Sequence, residues 1–368
     1  MRWPLVIAAV LLTGCATLRT RSDGRRSDAL LTQLDAQGIH LDPPLTISNE
    51  MKERVEREVR FEGTELARMQ RLHSFLRTQL GFKYDPNLTV GAEEAWAGRR
   101  GDCLSYAHLF NALARFIQVP VNYVRYRGTT TYEERSGALV VVSHVASLYN
   151  DYKVTVLVEL TGTAPSWRVS DYEHLGDDEA VALHFSNLAM EHLQKGDVTW
   201  AKKVLEVLLV RTPDLPELQV NYAAVLLRQG HQDEALALLQ KALDRFPDFH
   251  PLYVAAAIAA DSAGRDDLAE KYAELARNAH VDPFVPFMRG VWLMEKHQYR
   301  AAGQLFTHAT DLKPQSALFA AWLARAQLLQ GDESEAIRTF EKAQQLDPRH
   351  PVLEDFKKLH PEFRHSQL

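Results

Sequence analysis

The chain has 368 residues, of which 46% are hydrophobic and 24% are charged, and its formal net charge is −6 at pH 7. This length suggests two or three domains, and the hydrophobic content is that of an ordinary globular protein. The mildly acidic balance argues against a nucleic-acid partner, because binding to phosphate groups needs an excess of basic side chains.

The N-terminal residues have the layout of a secretory signal. After a basic start, an apolar run of about ten residues follows, too short to span a bilayer as a helix, and small residues precede Cys15. Residues 12–15, Leu-Thr-Gly-Cys, resemble the lipobox of bacterial lipoproteins. The resemblance implies that residues 1–14 are removed, that Cys15 is lipidated, and that the protein is anchored to the outer membrane and faces the periplasm. An uncleaved N-terminal core segment is the alternative.

Residues 15–44 are predicted to be the lipidated cysteine followed by a tether. The segment is polar and rich in arginine, and Pro43 and Pro44 close it in an extended conformation. Fully stretched, it would reach on the order of 90 Å.

Residues 45–180 are predicted to form an α+β domain in which helices precede strands. Apolar residues at helical spacing indicate two helices between 48 and 80, the second capped by Thr64, and a third over 103–117. Alternating and β-branched patterns then predict strands at 121–126, 138–147, 152–160 and 167–171.

Residues 181–350 are rich in alanine and leucine and carry a period. Alanines fall at 201, 235, 269, 302 and 336, so the spacings are 34, 34, 33 and 34 residues. This period resembles that of tetratricopeptide (TPR) repeats, helix pairs that stack to bury their apolar faces. The resemblance implies five repeats with a groove that binds a protein or peptide. Residues 351–368 are predicted to form a C-terminal capping helix and tail.

The chain has two cysteines. If Cys15 is acylated, Cys103 has no second cysteine to pair with in an oxidising compartment, so its presence calls for a reason. Cys103 follows Gly101 and Asp102 at the start of a predicted helix, where the helix N-terminus and a neighbouring imidazolium would stabilise a thiolate. Cys103 is therefore a candidate nucleophile, and its backbone N–H is a candidate oxyanion donor. A buried apolar cysteine is the alternative.

Residues 101–115 resemble the transglutaminase-like superfamily of cysteine enzymes, and the resemblance extends over about 48–178 of the chain. That family places its cysteine at a helix N-terminus, a histidine on one strand and an aspartate on the next. The resemblance implies a catalytic triad of Cys103, His144 and Asp171. His144 would hold the thiolate and protonate the leaving group, and Asp171 would orient His144. No cofactor and no metal ion is implied.

Several residues leave alternatives open. Asp151 and Asp177 are rivals of Asp171 for the orienting acid. His108 shares the nucleophile's helix, but its five-residue offset turns it away from the cysteine, so it is interpreted as structural. Trp96 could line a substrate cleft, although packing is the preferred interpretation.

Two departures from the family pattern leave room for a degenerate site. Many members have an aromatic residue shortly after the histidine, where this chain has Val145-Ala146, and many have Asp-Pro at the acid, where this chain has Asp171-Tyr172. The sequence predicts a lipid-anchored periplasmic cysteine enzyme that cleaves a peptide or side-chain amide through a thioester, with hydrolysis favoured over crosslinking. The alternative is a catalytically silent TPR scaffold that assembles an envelope complex.

Overall fold

A computed structural model describes residues 25–126, 131–135, 138–151, 153–160, 168–279, 283–348, 352–353 and 357. The predicted signal segment 1–14, Cys15 and most of the predicted C-terminal helix lie outside these residues. Among the residues described, no helix is both long and apolar enough to cross a membrane. The chain divides into two compact units, one comprising Met1–Glu133 and Val141–Val225 and the other comprising Glu134–Val140 and Leu226–Leu368.

The first unit contains helices followed by a sheet and then further helices. The helices are α1 (Arg25–Ala36), α2 (Asn49–Val59), α3 (Glu65–Ser74), α4 (Ala92–Gly98), α5 (Cys103–Phe116), α6 (Asp177–Gln194), α7 (Val198–Arg211) and α8 (Pro216–Arg228), the last of which runs past the unit's end. A π-helical turn at Phe75–Gln79 continues α3, and a 3₁₀ turn occupies Val169–Asp171. The strands are β1 (Lys83–Tyr84), β2 (Arg100–Gly101), β3 (Val121–Tyr126), β6 (Val145–Asn150), β7 (Thr155–Val158) and β8 (Tyr172–Leu175). The residues of two further strands, β4 (Thr131–Arg135) and β5 (Ala138–Val142), are divided between the two units.

The central sheet has the strand order β7-β6-β3-β8, and every neighbouring pair in it is antiparallel. Two further sheets have two strands each: β1 pairs with β2, and β4 pairs with β5. Helix α5 packs on β3 and β6, and its aromatic residues Tyr106 and Phe110 share a buried core with Tyr149 and Val158 of the sheet. The predicted α+β domain is therefore confirmed.

Polar side chains fix the starts of the helices that carry this core. Ser48 caps α2 by accepting a hydrogen bond from the N–H of Met51, and Thr64 caps α3 by accepting one from the N–H of Ala67 at 3.2 Å. Each cap satisfies an N–H group that a helix start otherwise leaves without an intrahelical partner.

The tether predicted for 15–44 is wrong over its second half, where α1 folds. Leu30 and Leu34, four residues apart, fall on one helix face and are buried in a core shared with α6 and α7. Farther along, the carbonyl of Pro44 accepts a hydrogen bond from the N–H of Ala92 at 2.7 Å. The arginine-rich composition concealed a short amphipathic helix.

The strand predicted at 167–171 is also misplaced. Residues 169–171 form a 3₁₀ turn, and the strand follows directly as β8. In β8, Tyr172 pairs with Tyr126 and Leu175 pairs with Tyr123 of β3. The residues that the sheet buries are Tyr172 and Leu175, which follow the predicted span.

The second unit continues the helix pairs with α9 (Gln232–Arg245), α10 (Pro251–Ser262), α11 (Asp266–Ala279), α12 (Phe284–Glu295), α13 (Tyr299–Leu312), α14 (Ala317–Gln330) and α15 (Glu333–Leu346). All of the alanines that mark the sequence period are fully buried, at positions 201, 235, 269, 302 and 336. At the close-packing position of α12, a Cβ on Gly290 would lie 2.5 Å from the ring of Phe306. The small residues are therefore required where paired helices approach.

Candidate active site

Cys103 is the first residue of α5 and is 8% exposed. The preceding Asp102 is the N-cap, fully buried, and its Oδ1 accepts hydrogen bonds from the N–H of Ser105 at 2.8 Å and from the hydroxyl of Ser105 at 2.7 Å. The thiol therefore lies at a helix N-terminus, where the helix dipole favours negative charge.

The loop before α5 is tightly tied to this cap. Thr89 donates its hydroxyl to Oδ2 of Asp102 at 2.5 Å, and the N–H of Asp102 donates to the carbonyl of Leu88 at 2.9 Å. A Cβ on Gly101 would lie 2.6 Å from Cβ of Ser105, so only glycine fits there. The Gly-Asp-Cys motif is thus explained by close packing and capping at one helix start.

The sheet brings His144 to the same end of the layer as Cys103. A short connection after α5 makes β3 run back along the helix, and antiparallel β6 then begins beside the end of β3. His144 directly precedes β6, and its carbonyl accepts a hydrogen bond from the N–H of Tyr126 at 3.0 Å. Leu104, which follows Cys103, and Val145, which follows His144, belong to one buried core.

A buried carboxylate lies beside the imidazole. Oε1 of Glu159 is 3.7 Å from Nε2 of His144, and the Glu159 side chain is 2% exposed. This distance is that of an electrostatic contact rather than a hydrogen bond, and in the part of the chain that the structure describes Nε2 of His144 makes no hydrogen bond. Burial lowers the pKa of His144, and the charge of Glu159 opposes that shift.

Glu159 also interacts with the helix that carries the nucleophile. Burial raises the pKa of Tyr106 on α5; the charge of Arg77 opposes this shift, and the charge of Glu159 adds to it. The hydroxyl of Tyr106 lies 2.8 Å from Nδ1 of His73, whose pKa is lowered to about 4 by burial and then by Arg77. The charge of Glu159 therefore raises the pKa of both His144 and Tyr106.

The predicted acid, Asp171, is the last residue of the 3₁₀ turn before β8 and is partly buried. The hydroxyl of Ser170 lies 3.4 Å from its Oδ1. It lies at the same end of the sheet as His144, but β3 separates β8 from β6, whereas β7, which leads to Glu159, neighbours β6. Neighbouring strands are about 4.8 Å apart, so the backbone of Asp171 is the more distant one. Its role stays a prediction.

The rival aspartates have other structural roles. Asp151 follows the far end of β6, where its carboxylate accepts hydrogen bonds from the N–H of Val154 at 2.8 Å and from the hydroxyl of Tyr149 at 2.9 Å. Asp177 forms a bidentate pair with Arg115, at 2.7 and 2.8 Å, near the C-terminal end of α5. Both therefore lie away from the start of α5.

Two further residues lie where the sequence interpretation placed them. His108 is fully buried, and its Nδ1 is 2.8 Å from the hydroxyl of Tyr123. Trp96 packs beside Phe75, with ring centroids 5.9 Å apart, and under the guanidinium of Arg54. Both contribute to the core.

The sequence interpretation missed Glu159. One signal could have found it: it is an acid set between Val158 and Leu160, directly after a β-branched strand pattern. A carboxylate in such a run needs a specific partner, because burying a charge without one is costly.

Nothing in the described ranges of the chain resembles a metal centre, since they contain no group of three or more His, Cys, Asp or Glu side chains placed to hold an ion.

Comparison with known families assigns residues 52–158 to the transglutaminase-like superfamily. Residues 216–259 and 293–357 match models described as tetratricopeptide repeat. No curated protein matched the chain.

Several solved TPR structures resemble the chain. TTC0263, a thermophilic TPR protein in Thermus thermophilus, is 18% identical, with 48% of this chain and 97% of that chain covered and a TM-score of 0.41. YrrB, a TPR protein with an unusual peptide-binding site, is 18% identical over 48% of this chain and 92% of that chain, with a TM-score of 0.30. A MamA structure, MSR-1 C2, is 22% identical over 46% of this chain and 97% of that chain, with a TM-score of 0.30.

Proposed function

Because the chain carries a transglutaminase-like domain followed by tetratricopeptide repeats, we propose that it is a cysteine hydrolase that cleaves a peptide or side-chain amide. The observation that supports this most directly is the arrangement at one end of the sheet. A thiol lies at a helix N-terminus, and an imidazole with a buried carboxylate beside it precedes the strand that packs on that helix.

Each residue has a defined role in the proposed reaction. The thiolate of Cys103 attacks the amide carbonyl carbon, a C–S bond forms, and the C–N bond breaks as His144 protonates the leaving amine. His144 then takes a proton from water as that water attacks the thioester, the C–S bond breaks, and the acid is released with the thiolate and imidazolium restored. Glu159 orients His144 and stabilises the imidazolium, which is present with the starting thiolate and forms again when His144 takes the proton from water. No oxidant or reductant is consumed.

Transfer to an amine instead of water would convert the same thioester into a crosslink. We favour hydrolysis, since bacterial proteins that resemble this domain are often proteases or amidases. The TPR repeats would bind a protein or peptide partner and so recruit either the substrate or a complex that contains it.

We place this activity at the periplasmic face of the outer membrane, with Cys15 lipidated. This part of the proposal rests on the signal-like layout of residues 1–14 and the lipobox-like residues 12–15.

Alkylation of Cys103 tests the enzyme proposal without a known substrate. In a Cys15→Ser background, Cys103 is the one thiol in the chain, and its reaction with iodoacetamide reports the thiolate. We expect reaction well below pH 8 and a substantially slower rate in His144→Ala. His174→Ala is the matched control, because His174 is an exposed histidine on β8.

Equal rates in the wild type, His144→Ala and His174→Ala would overturn the enzyme proposal. The scaffold interpretation, in which the repeats bind a partner and the α+β domain has no catalytic role, would then replace it.

A further inference from the structure

Glu217 is a buried carboxylate on a helix of the TPR region, and it contacts a strand of the sheet. It lies in the first turn of α8, the first helix of the second repeat, and is 4% exposed. Its two oxygens accept hydrogen bonds from Nη1 of Arg125 on β3, at 2.7 and 2.8 Å. A buried carboxylate in a helical repeat is thus neutralised by a strand of the catalytic domain.

The same carboxylate holds the residue that precedes the proposed base. The hydroxyl of Ser143 donates to Oε1 of Glu217 at 2.5 Å, and His144 follows Ser143 directly. On the other side, the carbonyl of His144 accepts a hydrogen bond from the N–H of Tyr126. The short segment between β5 and β6 is therefore held by two contacts, one with a repeat helix and one with the sheet.

Arg125 is shared between two carboxylates that differ in what else they contact. Nε of Arg125 donates to Glu173 on β8 at 2.7 Å, and Glu173 is the more exposed of the two acids. Burial works against the charge of Arg125, but Glu217 and then Glu173 raise its pKa, so it stays protonated. For Glu217 these contacts continue to the hydroxyl of Ser143.

A second contact from the repeats reaches the other side of the site. Nδ2 of Asn187 on α6 donates to the hydroxyl of Thr89 at 3.2 Å, and Thr89 in turn donates to Asp102, the N-cap of the nucleophile's helix. The first two repeats therefore contact both segments from which the proposed nucleophile and base extend.

We propose that Glu217 is a positioning residue of the active site, supplied by the second repeat, which holds the Ser143–His144 segment so that the imidazole can act on Cys103. This inference rests on the proposed function and adds to it that the repeat is part of the catalytic unit.

The pH profile of Cys103 alkylation tests this inference in the full chain with Cys15→Ser. Among the described residues, the charged groups around the segment include Arg125 on β3, Glu173 on β8, Glu159 after β7 and Glu217 itself. We expect Glu217→Gln to slow alkylation at neutral pH by about tenfold, because a displaced base loses its effect steeply with distance. Its profile should approach that of His144→Ala.

Glu173→Gln is the matched control, since it removes the other carboxylate paired with Arg125 and leaves the Ser143–Glu217 hydrogen bond in place. It should change the profile by less than about threefold, the effect of a partly exposed ion pair. Equal profiles for Glu217→Gln and Glu173→Gln would overturn the inference.

Ser143→Ala keeps the test valid if Glu217→Gln fails to fold, because it removes one hydroxyl and leaves the charged pair intact. Ser143→Ala should also slow alkylation. A folded Glu217→Asp variant should react faster than Glu217→Gln, because it keeps the carboxylate. A wild-type rate in Ser143→Ala contradicts the inference. A wild type that is no faster than His144→Ala instead contradicts the proposed function, so the two failures are distinguishable.

Discussion

At the residue scale, the candidate site depends on a carboxylate that is buried beside an imidazole. An ionised carboxylate is costly to bury unless a partner compensates it. Glu159 has His144 within 3.7 Å and adds to the raised pKa of Tyr106 on α5. This placement makes Glu159 a candidate for the orienting acid, beside the predicted Asp171.

The first prediction compares the two candidate acids by substitution. Glu159→Gln removes the negative charge that raises the pKa of His144, so that pKa should fall further below its ordinary value. A lower His144 pKa leaves less imidazolium to stabilise the thiolate, so the acid limb of Cys103 alkylation should move to higher pH. The rate at neutral pH should fall by at least about tenfold, because the imidazole also loses its orientation.

Asp171→Asn is the control for that experiment. It keeps the side-chain shape, and we expect it to leave the position of the acid limb unchanged. If Asp171→Asn slowed alkylation more than Glu159→Gln, then Asp171, as the sequence predicts, would be the orienting acid.

The second prediction concerns His184, a buried histidine in α6 whose ring lies 5.2 Å from that of His108. Burial lowers the pKa of His184 to about 4. Below the ordinary histidine pKa the unfolded chain binds a proton that the folded protein excludes. The contribution of His184 to the free energy of unfolding is therefore fully present above pH 6.5 and is lost as the pH falls toward 4. By pH 5 the loss is about 2 kcal/mol.

Urea denaturation at pH 7 and pH 5 measures this effect. The loss of unfolding free energy between the two pH values should be about 2 kcal/mol smaller in His184→Leu than in the wild type. His231→Gln, which replaces an exposed histidine, should leave the loss unchanged. The same loss in His184→Leu as in the wild type would show that His184 is not the titrating group.

At the scale of elements, the sequence predicted what local periodicity encodes. Helix α5 begins at Cys103 as predicted, since the N-cap, the apolar face and the glycine before them are all local signals. The five helix pairs follow from a repeated spacing of small residues. Helix α1 was missed because only Leu30, Leu31 and Leu34 mark its buried face within an arginine-rich segment.

Strand order explains why the sequence could not decide between the candidate acids. Strand order places β7 next to β6 and β8 beyond β3, and no local pattern reports that order. Asp171 was expected on the strand that follows His144, yet that neighbour is β7, which ends beside Glu159. A choice between two acids in successive strand-like segments depends on non-local pairing.

The third prediction separates two glycines within one repeat. A Cβ on Gly290 in α12 would lie 2.5 Å from the ring of Phe306, which is fully buried beside Phe287 and Trp322. Gly290→Ala should therefore destabilise the protein by about 1–3 kcal/mol, the usual cost of overpacking.

Gly303→Ala in α13 is the matched control. Its Cβ would meet the side-chain amide of Gln330, the end of a flexible side chain that can move. Alanine is also the better helix former by about 1 kcal/mol. Gly303→Ala should be neutral or stabilising in urea denaturation, and an equal loss in both variants would contradict the packing argument.

At the scale of the whole molecule, the sheet and the first repeat share one core. Tyr123 and Val145 of the sheet belong to the same buried cluster as Phe185 of α6 and Leu205 of α7. Only Gly176 separates β8 from α6. The repeat period in the sequence begins near residue 180, whereas the first compact unit of the structure extends to Val225. The first repeat is therefore built into the domain that carries the candidate site.

The packing of α1 changes the reach of the proposed anchor. Because α1 begins at Arg25 and is packed in the core of the first unit, it starts only ten positions after Cys15. Ten residues span at most about 35 Å, compared with about 90 Å for a tether that extends to residue 44. A lipidated chain would therefore hold its first folded helix close to the membrane.

The last prediction is that Cys15→Ser releases the protein from the membrane fraction or leaves the unprocessed precursor. A serine cannot carry the thioether-linked lipid, and the acyl chains supply the anchoring energy at about 0.8 kcal/mol per buried methylene. Cys103→Ser is the matched control, because it removes the other cysteine and should stay in the membrane fraction at the mature mass. Fractionation with mass spectrometry measures both. Membrane retention of a normally processed Cys15→Ser protein would exclude lipidation, and anchoring would then have to come from another part of the chain.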